Sequence, residues 1–385
     1  MKIVHVVRQF SPSVGGLEDS VRQLAALQRR ELGLDTRVVT LNRVFNRPGV
    51  LADEDEVDGV PVRRVPWRGS TRYPLAPSAL QALGDADLIH VHAIDFFFDY
   101  FAATTWLHRK PMIVSTHGGF FHTGAFSRLK KLWFSTLTRM SIRAYDAVIA
   151  CSENDADIFR RIARERLMTI ENGVNQQKFF DASSPSPRRT IVSFGRFASH
   201  KRPDLLFPLL VALKRKNPDW SLVVAGRPAD VSTEDLRRMA QDAQVASSVR
   251  FVIDPDDVTL RETIGEASYF ASLSEHEGFG LAAVEAMSAG LTPLLSPIPP
   301  FRRLVAQTGV GVLVDPADLD EAAIRIEAAH VEDEGAASVV RRLAMQGAEP
   351  YDWRSVAQRY VNVYQDILRP SGHASFRGAN AQGRS

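Results

Sequence analysis

The chain has 385 residues, long enough for two domains with separate cores, and 45% are hydrophobic, which excludes a disordered or fibrous protein. Its 47 basic and 45 acidic residues leave a formal charge of +2, so no general case for nucleic-acid binding arises. Cys151 is the single cysteine, which rules out an internal disulfide and a cysteine-built metal site and fits a reducing, cytosolic setting.

Apolar strand-like runs alternate with amphipathic helical stretches, the pattern of an α/β chain with parallel sheets. The first residues run straight into a strand at 2–8, with no signal-peptide cleavage region. A loop at 9–16 and a helix at 17–30 follow, then strands at 36–40, 61–65, 88–92, 112–116 and 147–150. Helices are expected between them at 97–108 and 127–143. The polar, proline-rich stretch DASSPSPRR at 181–189 reads as a linker between a first domain at 1–180 and a second at 190–350. The pattern then restarts, with strands at 190–195, 221–225, 250–253, 269–273 and 292–295 and helices at 203–216, 233–244 and 281–289. Residues 369–385, rich in Gly, Ser, Ala and Asn, read as a disordered tail. No run of roughly 18 apolar residues is present to cross a bilayer, so any membrane contact is expected to be peripheral. In doubly wound sheets ligands bind beyond the carboxyl ends of strands, so the expected site is a cleft between two facing domains.

The most informative segment is SEHEGFGLAAVEAMSAG at 274–290. Gly278 and Gly280 flank Phe279, and a helix starts near Leu281. Glycines there let backbone N–H groups at a helix start approach a diphosphate. A carboxylate accepts two hydrogen bonds from neighbouring hydroxyls, so Glu277 and Glu285 suit two vicinal diols. From Phe279 to Glu285 such a helix rises about 9 Å, enough to separate a hexose from a ribose across a diphosphate. Two glutamates alone would better suit a surface strand-to-helix turn; the full segment favours function.

Arg196 and Lys201 follow a strand in GRFASHKRPD. Cations so placed stabilise the charge that grows on a leaving nucleoside diphosphate, although a basic surface loop looks the same. Gly15 and Gly16 precede the first long helix and permit close backbone approach to a phosphate or an acceptor, although a paired glycine also suits an ordinary turn. Val252 and Ile253 end a strand and offer backbone groups to a nucleobase, guanine and uracil alike. His117 follows the strand at 112–116, where a side chain faces the expected cleft; a lone histidine is more often structural. Asp-x-Asp triplets begin at Asp53, Asp85, Asp155 and Asp254, too often to mark a metal site, and no metal is expected. In the stretch 127–143, Arg128, Lys130 and Lys131 interleave with Trp133 and Phe134, which suits either an anionic membrane surface or a helix packed on its own sheet.

The pair Glu277 and Glu285, a glutamate, seven residues and a second glutamate, resembles the motif of glycosyltransferase family 4. The resemblance implies a GT-B fold and a metal-independent, retaining transfer from a nucleotide sugar with no separate cofactor. It assigns Glu277 to the donor sugar, Glu285 to the ribose, Arg196 and Lys201 to the diphosphate, and raises Gly15, Gly16 and His117 to active-site positions. One departure stands out: a glycine usually follows the lysine, and here Arg202 does. Segments such as HVVRQFSPSVGG, STHGGFFHT, IENGV and SPIPPF extend the similarity from residue 5 to residue 301, towards bacterial α-mannosyltransferases of xanthan- and acetan-type exopolysaccharide assembly. In that group the donor is GDP-mannose and the acceptor a polyprenyl-diphosphate-linked cellobiose at the inner face of the membrane. A terminal helix at 351–368 is expected to cross back to the first domain. Rival readings are another donor or acceptor on the same fold, a nucleotide-sugar 2-epimerase, or a non-catalytic membrane scaffold.

Overall fold

The strands form where apolar residues run without alternation, because both faces of each sheet are covered. In β1 (Lys2–Val6) every residue after Lys2 is buried, and β7 (Leu88–His92), β8 (Met112–Ser115) and β9 (Ala147–Ala150) are buried throughout. The computed structural model describes residues 1–45, 47–71, 73–117 and 134–369, with the side chains of 134–135 and 333–337 left aside. It divides into two units, Met1–Gly173 together with the chain from Trp353 onward, and Val174–Asp352.

The first unit adds β2 (Asp35–Leu41), β3 (Glu54–Val57), β4 (Val60–Val65) and β10 (Leu167–Thr169) to those strands, and a separate hairpin of β5 (Arg68–Ser70) and β6 (Tyr73–Leu75). The sheet order is β10-β9-β8-β7-β1-β2-β4-β3, parallel except for the β3–β4 pair. Sequence order runs outward from β1 through β2 and returns on its other side at β7. That makes the carboxyl ends of β1 and β7 a topological switch point, where such sheets take their ligands.

Side chains alternate across the sheet, so each strand serves two cores. Val4, Val6, Ile89 and Val91 enter one cluster, whereas Ile3 and Leu88 pack with the terminal helix Trp353–Leu368. That helix belongs to the first unit and buries Trp353, Val356, Ala357, Tyr360, Val361, Val363 and Tyr364. Each large side chain so covered stabilises the docking by about 1.5–3 kcal/mol. Gly173 lies so close beneath the Trp353 ring that a Cβ there would collide with it.

The second unit carries β11 (Thr190–Phe197), β12 (Ser221–Pro228), β13 (Val249–Ile253), β14 (Tyr269–Ser272), β15 (Thr292–Leu295) and β16 (Val312–Leu313). Their order is β13-β12-β11-β14-β15-β16, all parallel, with a switch point between β11 and β14. The Leu206–Lys216, Leu281–Ser288 and Leu319–Ala348 helices cover this sheet.

Three expectations change. The stretch 181–189 is no linker: the N–H groups of Asp181, Ser183 and Ser184 donate to the carbonyls of Ser288, Ala289 and Ala267, and Ser183 and Ser184 are buried. Backbone groups paired in this way sew the segment into the second unit, and the chain changes unit at Gly173–Val174 instead. The helix expected at 97–108 breaks at Thr104, whose hydroxyl donates back to the Tyr100 carbonyl, into Phe96–Ala103 and Thr105–His108. Of the stretch 127–143, residues 127–133 lie outside the described residues, as do 370–385 of the tail. Phe134–Thr138 is a π-type turn, followed by short helical pieces at Arg139–Ser141 and Ile142–Ala144. No helix among the described residues is long and apolar enough to cross a membrane.

Candidate active site

In the second unit the site grows from the ends of β11 and β14. β14 leads through a loop into the Leu281–Ser288 helix, and Gly280 caps that helix with φ of +91°. A side chain would be strained at this angle and would meet the Phe301 ring, so the sharp entry requires glycine. No side chain caps the helix and its first turn holds no acid, which leaves its positive end open to an anion. Gly278 faces open space, and Leu281 is exposed at the first helical position. The Phe279 ring packs on Tyr351, 5.0 Å between centroids, and stays partly exposed.

Glu277 stands beside this helix start. Its Oε1 receives the Ser274 hydroxyl at 2.9 Å and lies 3.2 Å from Lys201 Nζ. Lys201 therefore reaches from the β11 side to the β14 loop and holds the carboxylate in place. The departure from the family pattern also has a local explanation. Arg202 sits in the left-handed region, φ +50°, where glycine is the unstrained choice, and its guanidinium is tied to Asp204 at 2.8 Å and Glu275 at 2.7 Å. The turn keeps its path without glycine.

Arg196 is exposed and makes no ion pair among the described residues, a free cation beside Gly195. Glu285 lies on the second turn of the helix, half-buried. Burial is the main cause that raises its pKa above the ordinary carboxylate value, and Lys178 and Lys201 oppose the shift. Lys178, unnoticed in the sequence, pairs with Asp257 at 2.7 Å. Val252 and Ile253 end β13, an edge strand, so part of its backbone points away from β12.

The first unit presents a different surface. Gly15 is the N-cap of the Gly16–Arg30 helix, which has Glu18 and Asp19 in its first turn. A Cβ on Gly15 would collide with the Glu18 carboxylate, so an acid already occupies this helix start. Ser20 donates to the Gly16 carbonyl at 2.7 Å.

His117 lies two residues beyond the end of β8, with φ of +49°, and is half-buried. Both ring nitrogens have neighbours: Nε2 lies 3.0 Å from His92 Nδ1, and Nδ1 lies 3.6 Å from Cys151 Sγ. Two further histidines of this unit, His90 and His92, are absent from the sequence pattern of the site. They lie two apart on β7, hence on one face, and the register sets His5 of β1 opposite His90. Reading that face across two strands would have found them. Arg128, Lys130, Lys131, Trp133 and the Phe134 side chain lie outside the described residues.

Comparison with known proteins identifies the family. A model of glycosyltransferase family 4 matches residues 14–178, and one of glycosyl transferases group 1 matches residues 174–342. The chain is 53% identical to the GDP-mannose:cellobiosyl-diphosphopolyprenol alpha-mannosyltransferase of Komagataeibacter xylinus, covering 99% of this chain and 98% of that one. It is 47% identical to the protein of the same name from Xanthomonas oryzae pv. oryzae, covering 96% and 97%. Among solved structures, a glycosyltransferase from Rickettsia africae aligns with a TM-score of 0.71 at 16% identity, covering 96% of this chain and 99% of that one. Sucrose-phosphate synthase from Thermosynechococcus elongatus aligns with a TM-score of 0.66 at 20% identity, covering 96% and 100%. Two Rossmann-like units, with acids and cations gathered at the strand ends of the second, define a glycosyltransferase of the GT-B fold. Within that class the chain belongs to glycosyltransferase family 4.

Proposed function

We propose that the enzyme moves an α-mannosyl group from GDP-mannose to a polyprenyl-diphosphate-linked cellobiose, with retention and without a metal ion. The supporting observation is the Lys201–Glu277 pair beside an uncapped helix start, with Arg196 unpaired nearby. The helix start, Arg196 and Lys201 suit a diphosphate; Glu277 suits the hydroxyls of the transferred sugar, and Glu285 those of the ribose.

In the reaction the acceptor hydroxyl oxygen bonds to the anomeric carbon as the bond from that carbon to the diphosphate oxygen breaks. The departing diphosphate takes the hydroxyl proton on the same face of the sugar, which preserves configuration. Arg196 and Lys201 stabilise the charge that develops on it. Glu277, held by Lys201 and Ser274, binds hydroxyls and is not a nucleophile in this scheme. The polyprenyl chain keeps the acceptor in a bilayer, so the reading includes peripheral contact with the inner face of the membrane.

Purified enzyme, given lipid-linked cellobiose in membranes with GDP-mannose, UDP-glucose or UDP-glucuronate, tests this. The expected result is lipid-linked mannose from GDP-mannose alone, undiminished by chelator. Transfer from a UDP-sugar, or epimerised donor without acceptor, would contradict it.

A further inference from the structure

The histidines of the first unit belong to a closed loop of hydrogen bonds. One arm runs from Gln28 Oε1 to His5 Nε2 at 2.9 Å, from His5 Nδ1 to His92 Nε2 at 2.9 Å, and from His92 Nδ1 to His117 Nε2 at 3.0 Å. The other starts at Gln28 Nε2, 3.1 Å from the Tyr364 hydroxyl, which lies 2.8 Å from His90 Nδ1. His90 Nε2 then reaches Ser115 Oγ at 2.8 Å, and Ser115 reaches the Tyr360 hydroxyl at 3.1 Å. Tyr360 bonds Cys151, whose Sγ lies beside His117 Nδ1 and closes the loop.

The loop has a strict consequence. A neutral imidazole has one donor and one acceptor nitrogen, and each hydroxyl, thiol or amide here likewise gives one and takes one. The protons must therefore all circulate in the same sense; reversing one reverses every one. The Gln28 amide selects the sense, with its oxygen towards His5 and its nitrogen towards Tyr364. His5 Nε2 then donates to Gln28, His92 Nε2 to His5, His117 Nε2 to His92, and His90 Nε2 to Ser115. Burial favours the neutral rings this requires, lowering the pKa of His5 and of His117 to about 4 and those of His90 and His92 well below the ordinary value. His5, His90 and His92 each bring a ring nitrogen within 4.8 Å of the others, a spacing a cation would use. All six of their ring nitrogens are already partnered, so the loop takes precedence.

We infer that this loop is a tautomer lock, in which Gln28, His5 and His92 are positioning residues that present His117 Nδ1 as a hydrogen-bond acceptor for a sugar hydroxyl. The inference rests on the proposed glycosyl transfer only for the identity of that hydroxyl. The thiol now at His117 Nδ1 is a weak donor at long range, the easiest partner in the loop to displace. A locked tautomer spares the active site a proton rearrangement on each turnover.

Nitrogen-15 NMR of histidine side chains in the intact enzyme, without substrate at neutral pH, reads the lock directly. The expected spectrum places the proton of His5, His90, His92 and His117 on Nε2. A proton on Nδ1, or an imidazolium, at any of the four overturns the inference. Turnover gives a second readout. Gln28→Leu opens the loop and should lower kcat roughly tenfold or more with unchanged KM for the sugar nucleotide, and the His117 signal should split between tautomers. Gln28→Glu keeps an acceptor for His5 and should restore most of kcat. Full kcat in Gln28→Leu would overturn the positioning role. If the Leu variant fails to fold, the unsubstituted enzyme's spectrum still decides. Because that spectrum needs no turnover, it stands whether or not mannose proves to be the transferred sugar.

Discussion

The two units arrange polar groups at their strand ends in opposite ways. The second gathers charges near solvent: Lys201, Glu277, Arg196 and the Arg202 cluster. The first buries neutral groups, with His5, His90 and His92 almost wholly covered and joined side chain to side chain. Charged groups at a partly open site can meet a charged ligand without full desolvation. Neutral buried groups act by geometry, because each lost partner leaves another unsatisfied at a cost of about 1–3 kcal/mol. On the proposed reading, binding of diphosphate and orientation of hydroxyls fall to different physics.

The sharpest way to break the comparison lies in the charged site. Glu277→Gln should lower kcat/KM by roughly 10²–10³-fold, since it removes the anion that pairs with Lys201 and that, in the proposed reaction, holds the donor sugar. Glu285→Gln should cost about tenfold, one charge-assisted hydrogen bond to a remote hydroxyl. Steady-state kinetics of the two variants, side by side, check the order; small and equal losses would remove both assignments.

Acid should strike the other unit first. The folded pKa of His5 and of His117 is pushed down to about 4 from 6.5, chiefly by burial. Between those values the unfolded chain binds more protons, so this contribution to stability is complete above pH 6.5 and is lost as pH falls towards 4. The loss should amount to roughly 3 kcal/mol for the fully buried His5 and to less for the half-buried His117. Denaturant unfolding across pH 7 to 4, followed by Trp353 and Trp106 in the first unit and Trp220 in the second, measures it. A first unit that holds its stability to pH 4 would contradict the buried neutral loop.

The smallest effect is expected at Arg202. Arg202→Gly relieves a left-handed residue but removes two surface ion pairs, and the terms oppose each other at about 0.5–1 kcal/mol apiece. Thermal unfolding should show a near-neutral change. A large loss would mean the ion pairs hold the Lys201 turn in place.

What could be read from the residues follows the same division. β7 and β9 are found at their observed limits because unbroken apolar runs mark strands buried on both faces. Glu277, Arg196, Lys201 and the helix start at Leu281 are visible because they cluster within short segments of chain. The crossover at Gly173 is missed because its signal is steric, a bare backbone under the Trp353 ring, while the more polar segment downstream looks like a linker. The Leu319–Ala348 helix is missed because its buried stripe is narrow, with Ala322, Ala323 and Ile326 near one end and Ala344 and Ala348 at the other. The loop around His5 escapes for want of locality: its partners lie 23, 87 and 274 positions apart in the chain. Only the strand register and the docked terminal helix bring them together.

A crystal structure with bound GDP-mannose reaches the core of this account most directly. It should place the diphosphate at the first turn of the Leu281–Ser288 helix, with Arg196 and Lys201 on its oxygens and Glu277 on the mannose hydroxyls. A diphosphate bound elsewhere, out of reach of both cations and of that helix start, would contradict it.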